Sequence, residues 1–571
     1  MSTFAPIFRS RFVLSVALTL LSSTALAQNI PSTIDAGRMQ NNINREVTPG
    51  AVAIPLDLST TPDVKAPAGA EKVKLVLHRI VIEGATQVPL SKIETAYTGM
   101  LNKQITLADV YKIANKITLI YRNDGYLLSR AVVPEQKIHD GVVHIRIVEG
   151  FINSYSIKGG DFAGRKQVET YANKLVGSGT LSSKNLERYL LLMNDIPGLK
   201  VRSVLVPSRV AGGADMTLIV EEKKAQGFAG VDNYGNRFIG PERITVGGQL
   251  NGLFHTDAEA HAAALWAPSH DELRYFSTGT SKTVGSEGTK LSLNASYTET
   301  DPTLPLALGG ALDPKGKAYD VTAKVDQPFI RSRNKNWNGG LAFDLTRNRT
   351  LFGPGLGALE TDDQQRVVRA NSQFNFLDGW LGYNATNITL SKGLEILGSS
   401  EKGDAGLSRA AGDPGFTKLN VDLSRLQNIY GPFTGLLGLT GQYASHALLS
   451  SEQFGFGGND YGRGYDYSEI TGDHGLAGKV ELAYNGKAEK RYLSDYQIYT
   501  FYDLGKVWNR TPAAGQNSSD SAASAGVGSR LTFTPAVRGD AFIAKPLTRD
   551  VVSRGSDGDD WRFKFSLTSN F

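Results

Sequence analysis

The sequence predicts an exported protein built from a signal peptide, an N-terminal helix and linker, two tandem α+β modules and a C-terminal transmembrane antiparallel β-barrel of about sixteen strands. Three observations carry this fold class. The chain opens with a charged, then apolar, then small-residue order. Helical periodicity begins near Val73 and stops after Lys224. Beyond that point short segments alternate, with charges on one parity and aromatics on the other.

Residues 1–27 read as the signal peptide. Arg9 and Arg11 precede the apolar run Phe12–Leu21, and Ala25-Leu26-Ala27 supplies a cleavage-like end before Gln28. The run is shorter than the roughly 20 residues a spanning helix needs. Residues 28–48 hold a short polar helix, over about Ser32 to Glu46, with Pro31-Ser32-Thr33 as its start signal. It has little apolar face, which argues against its anchoring in a core. Residues 49–72 scatter proline, glycine, serine and threonine without periodicity and read as an extended linker.

Residues 73–149 and 150–224 form the two modules. The first runs as a β-branched strand "VKLVLHRIVIEGA", two helical patterns, "PLSKIETAYTGMLN" and "LADVYKIANKITLIYRNDG", and two strands, "YLLSRAVVPEQ" and "GVVHIRIVEG". The same β-α-α-β-β order then repeats from "FINSYSIKGG" to "DMTLIVEEK", so each unit spans about 75 residues, near the lower end of domain size.

Residues 225–571 are the all-β part. In the terminal "DDWRFKFSLTSNF", Trp561, Phe563, Phe565, Leu567 and Phe571 share one face, and Arg562, Lys564, Ser566, Thr568 and Asn570 share the other. A charged face cannot meet lipid, but a water-filled interior accepts it, while the aromatics form an outer girdle. "SDYQIYTFYDLGKVW" sorts likewise, Tyr496, Ile498, Tyr502 and Leu504 against Gln497, Tyr499, Phe501 and Asp503. At about 20 to 25 residues per strand and connection, the segment holds roughly 14 to 18 strands, with sixteen the even choice. A barrel of that size leaves an aqueous lumen, and something must close it.

Composition narrows the functions. Cysteine is absent, which removes disulfides, thiol catalysis and cysteine-bound metals. The formal charge of +5 over 571 residues is too small to indicate nucleic acid. There is no HExxH, nucleophile elbow or P-loop, and the eight histidines lack ligand spacing, so neither an enzyme nor a cofactor is expected.

One stretch stands apart. "SSEQFGFGGNDYGRGYDYSEITGDHG" places Arg463 between Gly462 and Gly464, where the backbone can turn tightly and present a guanidinium. Asp503, on the inward parity of "TFYDLGKVW", is its candidate partner, through a bidentate charge-assisted pair. Spacing alone favours a solvated loop with an unrelated strand carboxylate.

"LLSSEQFGFGGNDYGRGY", followed by "GDHGLAGKVELAYN" and "FYDLGKVW", resembles the outer-membrane transporters of two-partner secretion, the hemolysin secretion and activation family. In that family an inward-folded loop carries a V-R-G-[YF] tip and a partner strand reads [FG]-x-D-x-G. Arg463, Gly464 and Tyr465 match the tip, and Phe501, Asp503 and Gly505 match the strand, while Gly462 stands in place of the usual valine. "YRNDGYLLSRAVVPEQKIHDGVVHIRIVEG" is similar to the family's first periplasmic POTRA module at Gly125, Tyr126, Ser129, Pro134, Gln136, Gly141, Glu149 and Gly150. "VDNYGNRFIG" and "DQPFIRSRNKNW" resemble further barrel signatures. The resemblance implies a Gram-negative outer-membrane protein with POTRA modules in the periplasm, a plug helix through the barrel and porin activity. It also implies export of one large β-rich exoprotein, an adhesin, hemolysin or contact-dependent toxin, recognised through its N-terminal secretion domain at the POTRA modules. Other implied partners are the barrel assembly machinery and outer-membrane lipid, and the alternative within the wider superfamily is an outer-membrane protein assembly factor.

Overall fold

The computed structural model describes residues 31–46, 64–269, 272–305, 313–353, 359–513 and 516–571. The expected signal peptide, and much of the expected linker, lie outside the described residues.

Alternation from Ala225 onward produces sixteen antiparallel strands that close into a barrel. Each pairs with its neighbours in the chain, and the last, Arg562–Asn570, returns to the first, Ala225–Asp232, through the register Ser566↔Asp232 to Asn570↔Phe228. Closure leaves no sheet edge exposed in the membrane. The period of two sorts the strand Leu493–Trp508 cleanly: Ile498 and Leu504 are 56% and 50% exposed on the outside, while Asp503 is fully buried within. No helix among the described residues is long and apolar enough to cross a membrane.

Connections at one end are short, such as those after Val284, Arg331 and Tyr430. At the other end they are long, above all the segments after Gly393 and Ala444. Short turns mark the periplasmic end of such barrels. The chain also enters the first strand there, directly after the second module.

That module has the expected order: strand Phe151–Lys158, helices Arg165–Val176 and Ser183–Asn194, strands Leu199–Pro207 and Gly213–Glu222. Its helices pack on the sheet through Val168, Tyr171, Leu175, Leu190 and Met193 against Val201, Met216 and Leu218. It sits on the short turns. Arg188 donates to the Pro328 and Phe329 carbonyls at 3.1 and 3.2 Å and to Glu287, and Asp195 takes both ends of the Arg331 guanidinium at 2.7 Å.

The first module departs from the expected pattern. Its first helix is confined to Leu90–Glu94 and a 3-10 turn at Thr98–Met100, and a strand, Lys103–Thr106, follows and pairs with Lys74–Leu77. Thr95, Tyr97, Thr98 and Gly99 are poor helix residues in succession, and the turn they make frees the chain to extend. The second helix, Leu107–Asn123, starts from a Thr106/Asp109 capping box and buries Val110, Ile113, Ile117 and Tyr121. Of the two closing strands, the first is only Arg130–Val132 and the second is Val142–Val148.

The N-terminal helix spans Ala36–Glu46 and lies inside the barrel. Asp35 caps it by accepting from the Arg38 amide at 2.9 Å. Its position corrects the expectation from its polar composition. Ile34, Met39 and Ile43 are buried against Phe238, Ile239, Leu265, Leu273 and Tyr275 of the barrel. Three residues make too narrow a stripe to register as an apolar face, yet they suffice for a seat that small.

Candidate functional site in the barrel lumen

The long connection after Ala444 folds back into the lumen. Its ribbon, Phe454–Phe456 paired with Ile470–Gly472, carries a tip at residues 457–469 down the inner wall. Phe456 and Tyr465 pack with Ile470, Ala477, Val507 and Ala522, so an apolar cluster seats the ribbon on the wall. Gly505 is what admits it, since a Cβ there would run into the Phe456 ring.

Arg463 and Asp503 meet, as the resemblance implied. The guanidinium Nε and Nη2 donate to the two Asp503 oxygens at 3.0 and 2.8 Å. The Gly462 and Arg463 backbone amides add 3.2 and 2.9 Å bonds to Oδ2, so Asp503 holds both the side chain and the turn. The Arg463 guanidinium lies over the Phe501 ring, 3.6 Å from Cζ to its centroid. Arg463 is 6% exposed, so nearly the whole cation is taken from solvent and needs these acceptors.

Sequence reasoning missed the second acceptor. Glu481 accepts from Arg463 Nη1 at 2.9 Å and is bridged in turn by Arg530 at 2.5 and 2.9 Å, which also reaches Asp540 at 3.1 Å. The signal was present: Val480 and Leu482 face out, which turns Glu481 inward. The rest of the tip is held equally closely. Tyr465 Oη donates to the Ala523 carbonyl at 3.0 Å, and Arg562 donates to the Gly464 carbonyl at 3.0 Å and pairs with Asp466. A Cβ at Gly464 would lie 2.7 Å from Ser524 Cβ.

Gly462 adopts φ +86°, and a Cβ there would sit 2.8 Å from the Phe456 ring. This backbone is the left-handed one that glycine tolerates and valine does not. Glycine at the position therefore belongs to this form of the turn.

The helix and the loop share contacts. Arg38 donates to Gln453 Oε1 at 2.7 Å, Asn41 to the Ser451 carbonyl at 3.2 Å, and Ser32 to the Ser468 carbonyl at 2.6 Å. The loop's base is tied to the wall by Arg369 and Lys418 on Glu452, and to the connection after Gly393 by Arg409 on Asp473. The loop thus sits in an ionic network within the lumen, and the helix joins it through hydrogen bonds to neutral groups of the loop.

The eight signature residues of the first module lie elsewhere, some within that module and Gly125, Glu149 and Gly150 at its junction with the second. Glu149 accepts from the Thr86 and Gln87 amides at 2.7 and 2.9 Å, from the Tyr121 and Thr86 hydroxyls, and across the junction from Thr180 Oγ1 at 3.1 Å. Burial pushes its carboxyl up, but the hydrogen bonds from Thr86, Gln87 and Tyr121 outweigh that and hold it below the ordinary carboxylate value. The Gly125 and Gly150 carbonyls accept from Ser183 and Leu181 of the second module at 2.7 and 2.8 Å. Ser129, fully buried, accepts from the Gly150 amide, and Tyr126 packs edge-on against Tyr121. Gln136 bridges the Pro134 and His144 carbonyls, and the Gly141 carbonyl accepts from His78 and Arg79. These residues bind the module to itself and to its neighbour.

A sixteen-stranded barrel with its lumen closed by a helix and an arginine-tipped loop, mounted on tandem periplasmic modules, defines a class of outer-membrane transporter. The chain belongs to the haemolysin secretion/activation protein ShlB/FhaC/HecB family, whose pattern it matches over residues 216–531, with a ShlB-type POTRA domain at residues 75–150. It is 24% identical over 571 residues to the heme/hemopexin transporter protein HuxB of Haemophilus influenzae, covering 97% of each chain. Its fold matches the solved structures of CdiB from Escherichia coli (TM-score 0.70, 18% identity) and CdiB from Acinetobacter baumannii (TM-score 0.62, 18% identity), each over 100% of both chains. The protein is an outer-membrane β-barrel of Gram-negative type with its POTRA domains in the periplasm.

Proposed function

We propose that this protein exports one large, β-rich exoprotein from the periplasm to the cell surface by two-partner secretion. The observation that carries the reading is the wide lumen closed by two separable elements, the helix and the loop, neither of which is part of the barrel wall. The names of the relatives, outer membrane transporter CdiB and heme/hemopexin transporter protein HuxB, agree with a transport role. In this reading the exoprotein's N-terminal domain docks unfolded on the POTRA modules by strand addition and apolar contact, which also keeps it from aggregating. The helix then leaves the lumen, the loop shifts, and folding outside makes passage directional. Arg463, Gly464 and Tyr465, with Phe501, Asp503 and Gly505, hold the loop in a transport-competent form. Residues 1–27 direct the chain to the periplasm and are removed, residues 49–72 are the tether of the helix, and porin activity follows from a vacated lumen.

The test is crosslinking of the full-length protein in its native host, followed by mass spectrometry. Capture of one large exoprotein through its N-terminal part supports the reading. Capture of many unfolded barrel proteins would instead make it an assembly factor.

A further inference from the structure

The lumen around the loop is lined by ion pairs, but a middle portion of one wall carries few charges. Across the neighbouring strands Lys335–Phe352, Leu359–Leu377, Gly382–Gly393 and Thr417–Tyr430, a group of inward positions carries uncharged side chains, bordered by Arg369, Lys418 and Asp422, the last of which accepts from Asn387 at 3.4 Å. Asn338 faces Gln373, which faces Asn387; Asn371 faces Thr389, which faces Asn420. The outward positions beside them, Trp337, Leu341, Ile388, Leu390 and Leu419, are exposed apolar residues, which fixes the amides on the luminal face.

Among the described residues, Asn338, Asn371, Gln373 and Thr389 have no side-chain hydrogen-bond partner, and the buried Oδ1 of Asn375 has none either. Around Arg463 and Glu452, by contrast, the charged groups are paired. The first strand of this wall already meets a polypeptide farther out, where Gly37 of the helix packs against Asn348.

We propose that this amide wall is a binding track for the main chain of an extended polypeptide in transit, an inference that rests on the export reading above. A primary amide offers a donor and an acceptor, as a peptide group does, so a row of them can pair with successive peptide units whatever the side chains. The predominance of uncharged groups matters for the same reason. Fixed charges would hold segments of opposite sign and repel others, whereas single neutral hydrogen bonds exchanged against water are weak enough to be made and broken in sequence.

The test uses the full-length protein in planar bilayers, opened by Gly37→Leu, with an uncharged, unstructured glycine-serine-threonine peptide of about 30 residues added on the periplasmic side as the probe. The track predicts peptide blockades of the ion current whose dwell time falls about tenfold when Asn338, Asn371, Gln373 and Asn375 are replaced together by Leu, and largely survives replacement by Thr. Insertion is checked by heat-modifiable mobility, and if the quadruple variant does not insert, Asn371→Leu and Gln373→Leu are read singly against Asn371→Thr and Gln373→Thr. Dwell times unchanged by every Leu variant would overturn the track while leaving export intact. A parent channel that the peptide never blocks would count against polypeptide passage itself, and so against the reading beneath.

Discussion

Replacing Arg463 by alanine removes three guanidinium contacts and the ring contact at once. Two carboxylates stay behind, Asp503 and Glu481, at 0% and 4% exposed. Breaking a buried pair from one side costs about 3–5 kcal/mol, because the remaining charge is uncompensated. Here Asp503 would keep the two backbone amides and Glu481 would keep Arg530, which puts the cost near the lower end, about 3 kcal/mol. That raises the population with the loop unseated by roughly a hundredfold. The chain has no cysteine, so Ser468→Cys, on the buried face of the loop, gives one reporter thiol. Its labelling rate should rise about a hundredfold in the Arg463→Ala background, with heat-modifiable mobility unchanged and exoprotein release reduced. Equal labelling rates with and without Arg463 would refute the reasoning that this pair seats the loop.

Three further outcomes follow from the geometry. Gly462→Val forces a β-branched residue into φ +86° against Phe456 and should cost about 1–3 kcal/mol, read as faster labelling of the same thiol. Gly37→Leu, whose first added carbon would meet Asn348 at 2.5–2.8 Å, should unseat the helix and raise single-channel conductance; an unchanged conductance would mean that the helix does not limit current. Glu149 has a folded-state pKa held below its ordinary 4.5, so its contribution to the POTRA junction is full above that value and is lost as pH falls through the depressed one. Protease resistance at the junction should therefore persist from about pH 8 down to about pH 5 and fall below about pH 4, and Glu149→Gln should flatten that dependence.

The barrel was legible because lipid outside and water inside impose a period of two that composition cannot hide, as in Tyr496 to Leu504 and in the terminal strand. Strand number followed from length, and the sixteen strands agree with it. Parity put Asp503 inside as a candidate partner for Arg463, and the resemblance to the family's loop and strand motifs singled out the pair. Glu481 could not be located in this way, since an inward glutamate between Val480 and Leu482 looks like any other luminal charge until the loop's path is known. The helix was legible as a helix but not as a buried one, because Ile34, Met39 and Ile43 match a pocket that exists only once the strands around Leu265 and Tyr275 close. The short strand Lys103–Thr106 was hidden inside a helical pattern, its preference decided by pairing with Lys74–Leu77.

The most direct measurement is the surface and culture-supernatant proteome of the native host with and without this gene. Loss of one large β-rich exoprotein, restored by the wild-type chain and only weakly by the Arg463→Ala variant, is the expected result. An unchanged set of surface proteins, or a general loss of outer-membrane barrels, would contradict dedicated two-partner secretion.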